Sequence, residues 1–477
     1  MAKNQWVSTK FLHEKNLKKM KLLITFFSVS IVFFNWSQDT LKQLDLNSFL
    51  QQVKENHPIA IVASNDIEKS SNFVRLAKGY FDPSIFGGID QKYFNGSTYY
   101  STLTTGLKIP TRIGWNLKVM GDWNRGQYLN PDQTIPNQGL TYLGIEVPIG
   151  RGMFTDEQRT QIKRALVGYD QSQTQRQLIL NDLLYEAGQH FINWQEQLAQ
   201  LELSKEVYDL AFIRLSQVKI SAELGDRPDI DTVEAYTQLF LRKIELNQRE
   251  VNVANSRIQV ENYLWEQGLI PLTLDDFVTA NALIINEPEN SITQIDTLIH
   301  PILNLYDLKI SDLELERKLK IEQLKPQFNV NYNLLQTPQN LISTNYSFTN
   351  YKWGASFSMP IFLRKERSSL AITKLKIENT QIEMSQKQRD LQTKQKQIQN
   401  EWITLVKQTE DTENIVEGFK ALSSAERALF EQGESSLFLV NAREIGYISS
   451  KSKYIEFLAK TNKSALSTKY ILGQLGN

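Results

Sequence analysis

The sequence predicts a mainly α protein carrying membrane β-strands, built as a duplicated unit of helix, strands and long coiled-coil helical hairpin. Three observations predict it. The first is repetition. His57-Pro58 opens an amphipathic stretch that runs to Asp82-Pro83, His300-Pro301 opens another that runs to Lys325-Pro326, and the prolines lie 25 residues apart in both. The second is alternation: Ile85-Phe86-Gly87-Gly88-Ile89 and Phe328-Asn329-Val330-Asn331-Tyr332 follow the second prolines. The third is a pair of long, nearly proline-free stretches, entered through Val147-Pro148-Ile149 and Met359-Pro360-Ile361. Repetition on this scale constrains the fold before any single segment does.

Composition removes several classes of function. Lys and Arg number 53 against 53 Asp and Glu, so no basic footprint points to nucleic acid. There is no cysteine, which excludes disulfide frameworks, thiolate metal sites and cysteine nucleophiles and agrees with an oxidising compartment. The four histidines do not suggest catalysis or a metal site. His13 lies near the N-terminus, His57 and His300 mark the repeats, and His190 stands alone on a helical stretch. No HExxH, P-loop or GxSxG pattern occurs. The expectation is a protein that is not an enzyme and needs neither cofactor nor metal.

Residues 1–37 read as a secretory signal. Lys10, Lys15, Lys18, Lys19 and Lys21 precede the apolar run Leu22–Phe34, and Asn35-Trp36-Ser37 leads into a polar stretch. A basic region, a short apolar core and a small residue are the marks of such a leader, with Met20 as an alternative start and cleavage placed after Ser37. The run is shorter than the ~20 residues a transmembrane helix needs.

The first structural repeat is expected over 38–268. Its helix covers Leu46 to about Lys78, with Leu46, Phe49, Leu50 and Val53 at helix spacing. Four strand-like segments fill 84–149, and a helical hairpin fills 154–266. The second repeat, 299–477, has its own helix, two strand-like segments within 327–361 (Phe328–Gln336 and Ser347–Ile361) and a hairpin over 364–475. Residues 269–298 connect the two. Pro83 to Pro148 spans 65 residues and Pro326 to Pro360 spans 34, a difference of about one extra hairpin in the first copy. Strands of about nine to eleven residues fit a tilted membrane crossing. Alternation with aromatics near the ends (Tyr93, Phe94, Trp115, Trp123; Tyr351, Trp353) is the β-barrel signature.

From Thr155 to about Glu223 there is no proline and only Gly168 and Gly188 interrupt. Leu180, Leu184, Ala187, Phe191, Trp194, Leu198, Leu201, Lys205, Tyr208 and Phe212 follow a 4-3 spacing. Ile398, Trp402, Leu405, Thr409, Thr412, Val416, Phe419, Ser423, Glu426 and Phe430 repeat it. A 3.5-residue period is that of a coiled-coil seam, and such a helix reaches about 100 Å. Return helices are expected from Asp229 to about Glu266 and from Leu437 to about Leu475. The stretch Gln386–Asn400 is nearly devoid of apolar residues and suits a helix wetted on two sides or a solvated face.

These residues together resemble the TolC family of outer-membrane efflux proteins. The markers are the paired His-Pro dipeptides, Val147-Pro148-Ile149-Gly150, Met359-Pro360-Ile361-Phe362, and the tips Gly225–Ala235 and Gly433–Ala442. The first tip is similar to that of Bacteroidetes members. The resemblance implies a homotrimeric α-barrel continuous with an outer-membrane β-barrel and extending far into the periplasm. Four family strands per chain would give a twelve-stranded barrel, a count the extra hairpin here puts in question. Leu269–Leu298 would join an equatorial belt. The implied partners are a periplasmic adaptor, an inner-membrane transporter and outer-membrane lipid. The implied role is a passive conduit for efflux or type I secretion. A coiled-coil envelope spacer and a secreted adhesin with a β head are the competing readings.

The resemblance also selects candidate residues. Family carboxylates ring the closed aperture just after the second tip glycine. Phe438 and Asn441 stand there in this chain, while Asp229, Asp231 and Glu234 follow the first tip. These five are the pore or gate candidates, because acids repeated around a threefold axis would favour cations. Asp229 and Asp231 equally fit capping and dipole complementarity at a helix start. Gly225, Asp226, Arg227, Pro228, Gly433, Glu434 and Ser435 are the adaptor-docking candidates, and the glycines suit a left-handed turn.

Overall fold

The computed structural model describes residues 43–275, 278–285, 300–338 and 346–476. The leader at 1–37 and much of the 269–298 connector lie outside the described residues. In chain order the elements begin β1 (Gln43–Leu44), α1 (Leu46–Asn56), α2 (Pro58–Gly79), β2 (Ser84–Phe94), β3 (Ser97–Pro110), β4 (Asn116–Arg125) and β5 (Leu140–Gly150). There follow α3 (Glu157–Glu223), α4 (Asp229–Glu261), β6 (Trp265–Glu266), β7 (Ile270–Pro271) and β8 (Thr279–Ala280). The second copy supplies α5 (Pro301–Gln323), β9 (Gln327–Gln336), β10 (Tyr351–Ser358), α6 (Arg364–Glu431) and α7 (Leu437–Ile471).

The repeat markers have a local physical cause. His57 and His300 are extended N-cap residues, and the proline after each is the first helical residue. Each imidazole Nδ1 accepts the backbone N–H two residues on, from Ile59 and from Ile302, at 3.2 Å in both. Proline has no N–H to orphan at that position, and the ring nitrogen satisfies a donor that the helix start leaves free. His-Pro is thus a helix-starting device used twice, and it splits the expected first helix into α1 and α2.

The strands form one sheet in the order β10-β9-β5-β4-β3-β2, with every neighbouring pair antiparallel. The extra residues of the first copy are therefore the hairpin that places β3 and β4 between β2 and β5. The second strand of the second copy is shorter than expected. Ser347–Asn350 closes a turn, with the Asn350 N–H donating to the Ser347 carbonyl at 3.2 Å. The strand ends at Ser358, before Pro360, which has no N–H for a ladder.

The four long helices fall near their expected spans, with corrections at two ends. The first return helix stops at Glu261 rather than Glu266, because 265–266 pairs with 270–271 as a small hairpin. The Glu261 carboxylate also accepts the Leu274 N–H at 3.0 Å, which folds the following loop back on the helix end. The second return helix stops at Ile471, and Gly473 follows with φ +68°.

The described chain divides into two compact units, each taking segments from both repeats. One comprises the described parts of Met1–Gln52, His190–Ile284 and Phe419–Ala459. Its packing includes a ring stack of Phe49 on Phe191 at 5.1 Å, the parallel pair β1–β8, a cluster of Leu203, Val207 and Ile455, and a cluster of Val218, Ala235, Phe430, Leu437 and Val440. The other comprises the described parts of Val53–Gln189, Ile285–Gly418 and Lys460–Asn477. It holds the sheet and a cluster of Leu303, Leu391 and Ile471. Within it α3 lies along α7: Asn181 Nδ2 donates to the Tyr470 carbonyl at 3.0 Å and Tyr185 stacks on Tyr470 at 4.3 Å. A Cβ at Gly188 would come within 2.6 Å of Leu466, so this mid-helix glycine is a close-approach point.

The second seam lies where its spacing puts it: Leu405, Thr409, Thr412, Val416, Ser423 and Phe430 are buried. The first seam holds from Leu180 to Trp194 and then departs. Lys205 is exposed and Phe212 is 59% exposed, while Gln200, Leu203, Ser204, Val207, Ala211, Arg214 and Val218 are buried. The buried face in that half mixes Leu203, Val207 and Val218 with small and polar residues, and polar ones bond across to α7, as where Gln200 Nε2 donates to the Ser452 carbonyl at 2.9 Å. A pattern of large apolar residues followed the wrong face.

Candidate functional site

Both helical tips are built the same way. After α3, the Asp226 N–H donates to the Ser221 carbonyl and the Gly225 N–H to the Ala222 carbonyl; after α6, Glu434 donates to Leu429 and Gly433 to Phe430. That pairing is a Schellman closure, which needs a left-handed residue. Gly225 (φ +81°) and Gly433 (φ +79°) supply it, and a Cβ on either would meet nothing within 4 Å. The tips thus repeat at the level of individual hydrogen bonds.

Arg227 ties the first tip to the second. Its Nη2 donates to the Phe430 carbonyl at 2.8 Å, and the guanidinium lies 3.6 Å from the Phe430 ring centroid. Asp231 sits 3.9 Å from Arg227. Pro228 is the N-cap of α4 and makes no side-chain cap bond, and Asp229 and Asp231 occupy the first turn, where a negative charge complements the helix dipole. On the second tip the Ser435 hydroxyl donates to Glu426, and Ser436 Oγ accepts the Leu439 N–H at 3.4 Å.

Four of the five gate candidates separate into two groups, and the fifth, Asp231, is the half-buried neighbour of Arg227. Asp229 and Phe438 are exposed, Phe438 at 71%. Asn441 is buried, and its Nδ2 donates to Glu234 Oε1 at 2.7 Å. Arg214 on α3 reaches the same point, donating from Nη1 to Asn441 Oδ1 at 3.0 Å and from Nη2 to Glu444. Arg427 on α6 donates to Glu444 from the other side at 3.3 Å. One polar network therefore joins all four long helices. Arg214, Arg427 and Glu444 were not among the candidates from sequence, and none of them stands at a position of the two expected seams.

The sheet carries the second candidate surface. One cross-strand row reads Ile85, Leu107, Val119, Leu143, Leu334, Tyr351 through all six strands. The adjacent row on that face reads Ile109, Leu117, Ile145, Tyr332, Trp353. The opposite face carries the row Ser84, Lys108, Lys118, Gly144, Asn333, Lys352, and Lys118 pairs with Glu146 at 2.6 Å. Much of the apolar face is bare in the single chain, with Ile85 84% and Trp353 65% exposed. Exposed apolar rows of this kind mark an interaction surface, and the next row on the same face, Gly87, Thr105, Gly121, Thr141, Gln336, is small or polar. No helix among the described residues is long and apolar enough to cross a membrane. No cluster of three or more His, Cys, Asp or Glu able to hold a metal occurs among them either.

No model of a known protein family matches the chain, and no curated protein matches it. Solved structures do. The CmeC outer membrane channel of Campylobacter jejuni is similar with a TM-score of 0.65 at 12% identity, covering 92% of this chain and 88% of that one. The open state of the Neisseria gonorrhoeae MtrE outer membrane channel gives 0.64 at 12% identity, covering 90% and 89%. The outer membrane protein VceC of Vibrio cholerae gives 0.61 at 10% identity, covering 90% and 96%. The chain has the fold of these outer-membrane proteins: long helices joined to an antiparallel sheet.

Proposed function

We propose that this protein is an outer-membrane channel subunit that passes substrates from the periplasm to the exterior as a homotrimer. It is engaged by a periplasmic adaptor and an inner-membrane transporter, in efflux or in type I secretion. The observation that carries the reading is the sheet. Six antiparallel strands present two adjacent apolar rows on one face and a row rich in lysine on the other, which suits a strand-built wall between lipid and water. The helices support a water-filled passage, since Gln386–Asn400 is mostly exposed and buries only Leu391. Docking at the tips is supported by exposed apolar side chains beside them: Leu224, Ile230 and Val233 at the first and Phe438 at the second. Asp229 and Asp231, near the threefold axis, form the cation-attracting part of the gate.

Planar-bilayer recording tests the reading. Purified trimers are expected to insert and conduct, with larger current after Asp229→Asn and Asp231→Asn are combined with loosening of the tip. Trimers that stay silent in every variant would favour a structural spacer. A protein released from membranes by a salt wash would favour a secreted adhesin.

A further inference from the structure

The two edges of the sheet lead beyond the single chain. Among the described residues β2 pairs only with β3 and β10 only with β9, so each edge strand carries a row of backbone donors and acceptors that no described strand pairs. Both edges carry exposed apolar residues of the same face, Ile85 and Ile89 on β2 and Trp353 and Phe357 on β10. In lipid an open edge is excluded, because each unsatisfied backbone group costs several kcal/mol. Six strands cannot close on themselves, as the smallest membrane barrels have about eight. Another chain must pair with each edge.

We infer that β2 of one copy pairs with β10 of the next, and that the trimer closes an eighteen-stranded barrel. Every neighbouring pair in the sheet is antiparallel, so five alternations leave β10 and β2 running in opposite directions. Copies placed side by side therefore continue the antiparallel order, and closure needs an even strand count, which eighteen satisfies. The inserted hairpin belongs to this wall and is not an external decoration. Leu107 and Val119, its contributions to the apolar row, sit in register between Ile85 and Leu143. Its turn is also held at the base of the sheet, where Arg159 Nη1 donates to the Ile113 carbonyl at 3.4 Å and to the Met153 carbonyl at 3.2 Å. Barrel diameter grows roughly linearly with strand number, so the mouth is about 1.5 times as wide as a twelve-stranded one. This inference rests on the trimeric channel proposed above.

The absence of cysteine permits a direct test by disulfide trapping in outer membranes. Cysteines are placed in pairs at polar-face positions of the two edges, Gly88→Cys, Asp90→Cys or Lys92→Cys with Lys352→Cys, Ser356→Cys or Ser358→Cys. Each single substitution serves as a folding control. The expected result is a covalent ladder on denaturing gels that ends at the trimer, most strongly for one register of pairs and absent from the single variants. A second set joins β10 to β4 through Met120→Cys or Asp122→Cys, the edge that would be free if β2 and β3 stood outside the wall. A trimer that cross-links through β4, or through neither set, overturns the eighteen-stranded barrel and leaves the channel reading standing. A chain that forms no trimer in membranes overturns both.

Discussion

Asn441 on α7 donates its side-chain amide to Glu234 on α4 at 2.7 Å, a bond between residues 207 apart in sequence. The two return helices are thereby joined just inside their tips, one from each repeat. Arg214 completes the junction from α3 by holding Asn441 and Glu444 with different nitrogens of one guanidinium. The side chains of Arg214 and Glu444 are only 9% and 11% exposed. A buried pair of this kind adds little net stability when intact, but removing one partner leaves a buried charge stranded. The arrangement therefore specifies how the four helices meet more than it strengthens them.

Arg214→Ala is expected to destabilise the tip region by about 3 kcal/mol, the low end for breaking a buried pair, because Glu444 keeps Arg427. Hydrogen exchange over 205–240 and 425–450 should accelerate while exchange in the strands stays unchanged. Arg214→Lys should not restore protection, since an ammonium cannot span Asn441 and Glu444 as a planar fork does. Equal protection in Arg214→Lys and the parent would remove the fork from the account.

Asp229 and Glu234 should behave differently in conduction although both are acids just past the first tip. Asp229 is exposed, whereas Glu234 is bound to Asn441. Asp229→Asn is expected to lower cation selectivity, and Glu234→Gln to change it little while weakening the helix junction. Reversal potentials under a salt gradient separate the two, and matching shifts for both variants would contradict the division.

The pH response of the helix starts has a definite sign. Burial holds the His300 imidazole below its ordinary value, with nearby Lys387 adding to the lowering and the bond to the Ile471 carbonyl opposing it. His57 is lowered by burial. Both rings cap through an unprotonated Nδ1, so the neutral form is the folded one. The unfolded chain takes up protons first as pH falls below about 6.5. The stability that these caps contribute is present above that pH and is lost as pH falls toward the lowered folded values. His300→Asn keeps a cap acceptor without a titratable ring and should flatten the decline of thermal stability between about pH 7 and pH 5. An unchanged slope in that variant would assign the response to other groups.

Much of the fold was legible because its devices are local and repeated. His-Pro marks a helix start at Pro58 and again at Pro301, the tip glycines close two equivalent turns, and strand alternation shows on one face of a ladder. The second seam was legible because Leu405, Val416 and Phe430 are apolar. The distal half of the first seam was not. Gln200 and Arg214 are buried there with hydrogen bonds across helices, which leave no trace in hydropathy, while Tyr208 and Phe212 draw attention to the wrong face. Glu234 and Asn441 were found as neighbours of the tips, but no spacing could show that they bond to each other across 207 residues. The end of α4 escaped for a similar reason, since the contact from Glu261 to the Leu274 N–H depends on a loop folding back.

Arg159 offers the sharpest test of how the inserted hairpin is held. Its backbone N–H and Nε both bond Asp156, at 2.7 and 2.9 Å, which fixes the start of α3. The rest of the guanidinium reaches the carbonyls of Gly152, Met153 and Ile113, so one side chain fastens the β3–β4 turn to the corner leaving β5. Its side chain is 15% exposed, and deletion would leave several carbonyls short of a donor at ~1–3 kcal/mol for each one that water cannot reach. Arg159→Ala is expected to lower the yield of assembled trimer in outer membranes several-fold. Arg159→Lys should recover only part of it, because a single ammonium cannot serve both turns. Heat-modifiable migration of the trimer on gels measures the loss, and a cysteine introduced at Ile113 should become more reactive to a polar maleimide in Arg159→Ala. Unchanged labelling at that site would mean that the turn is held by the sheet alone.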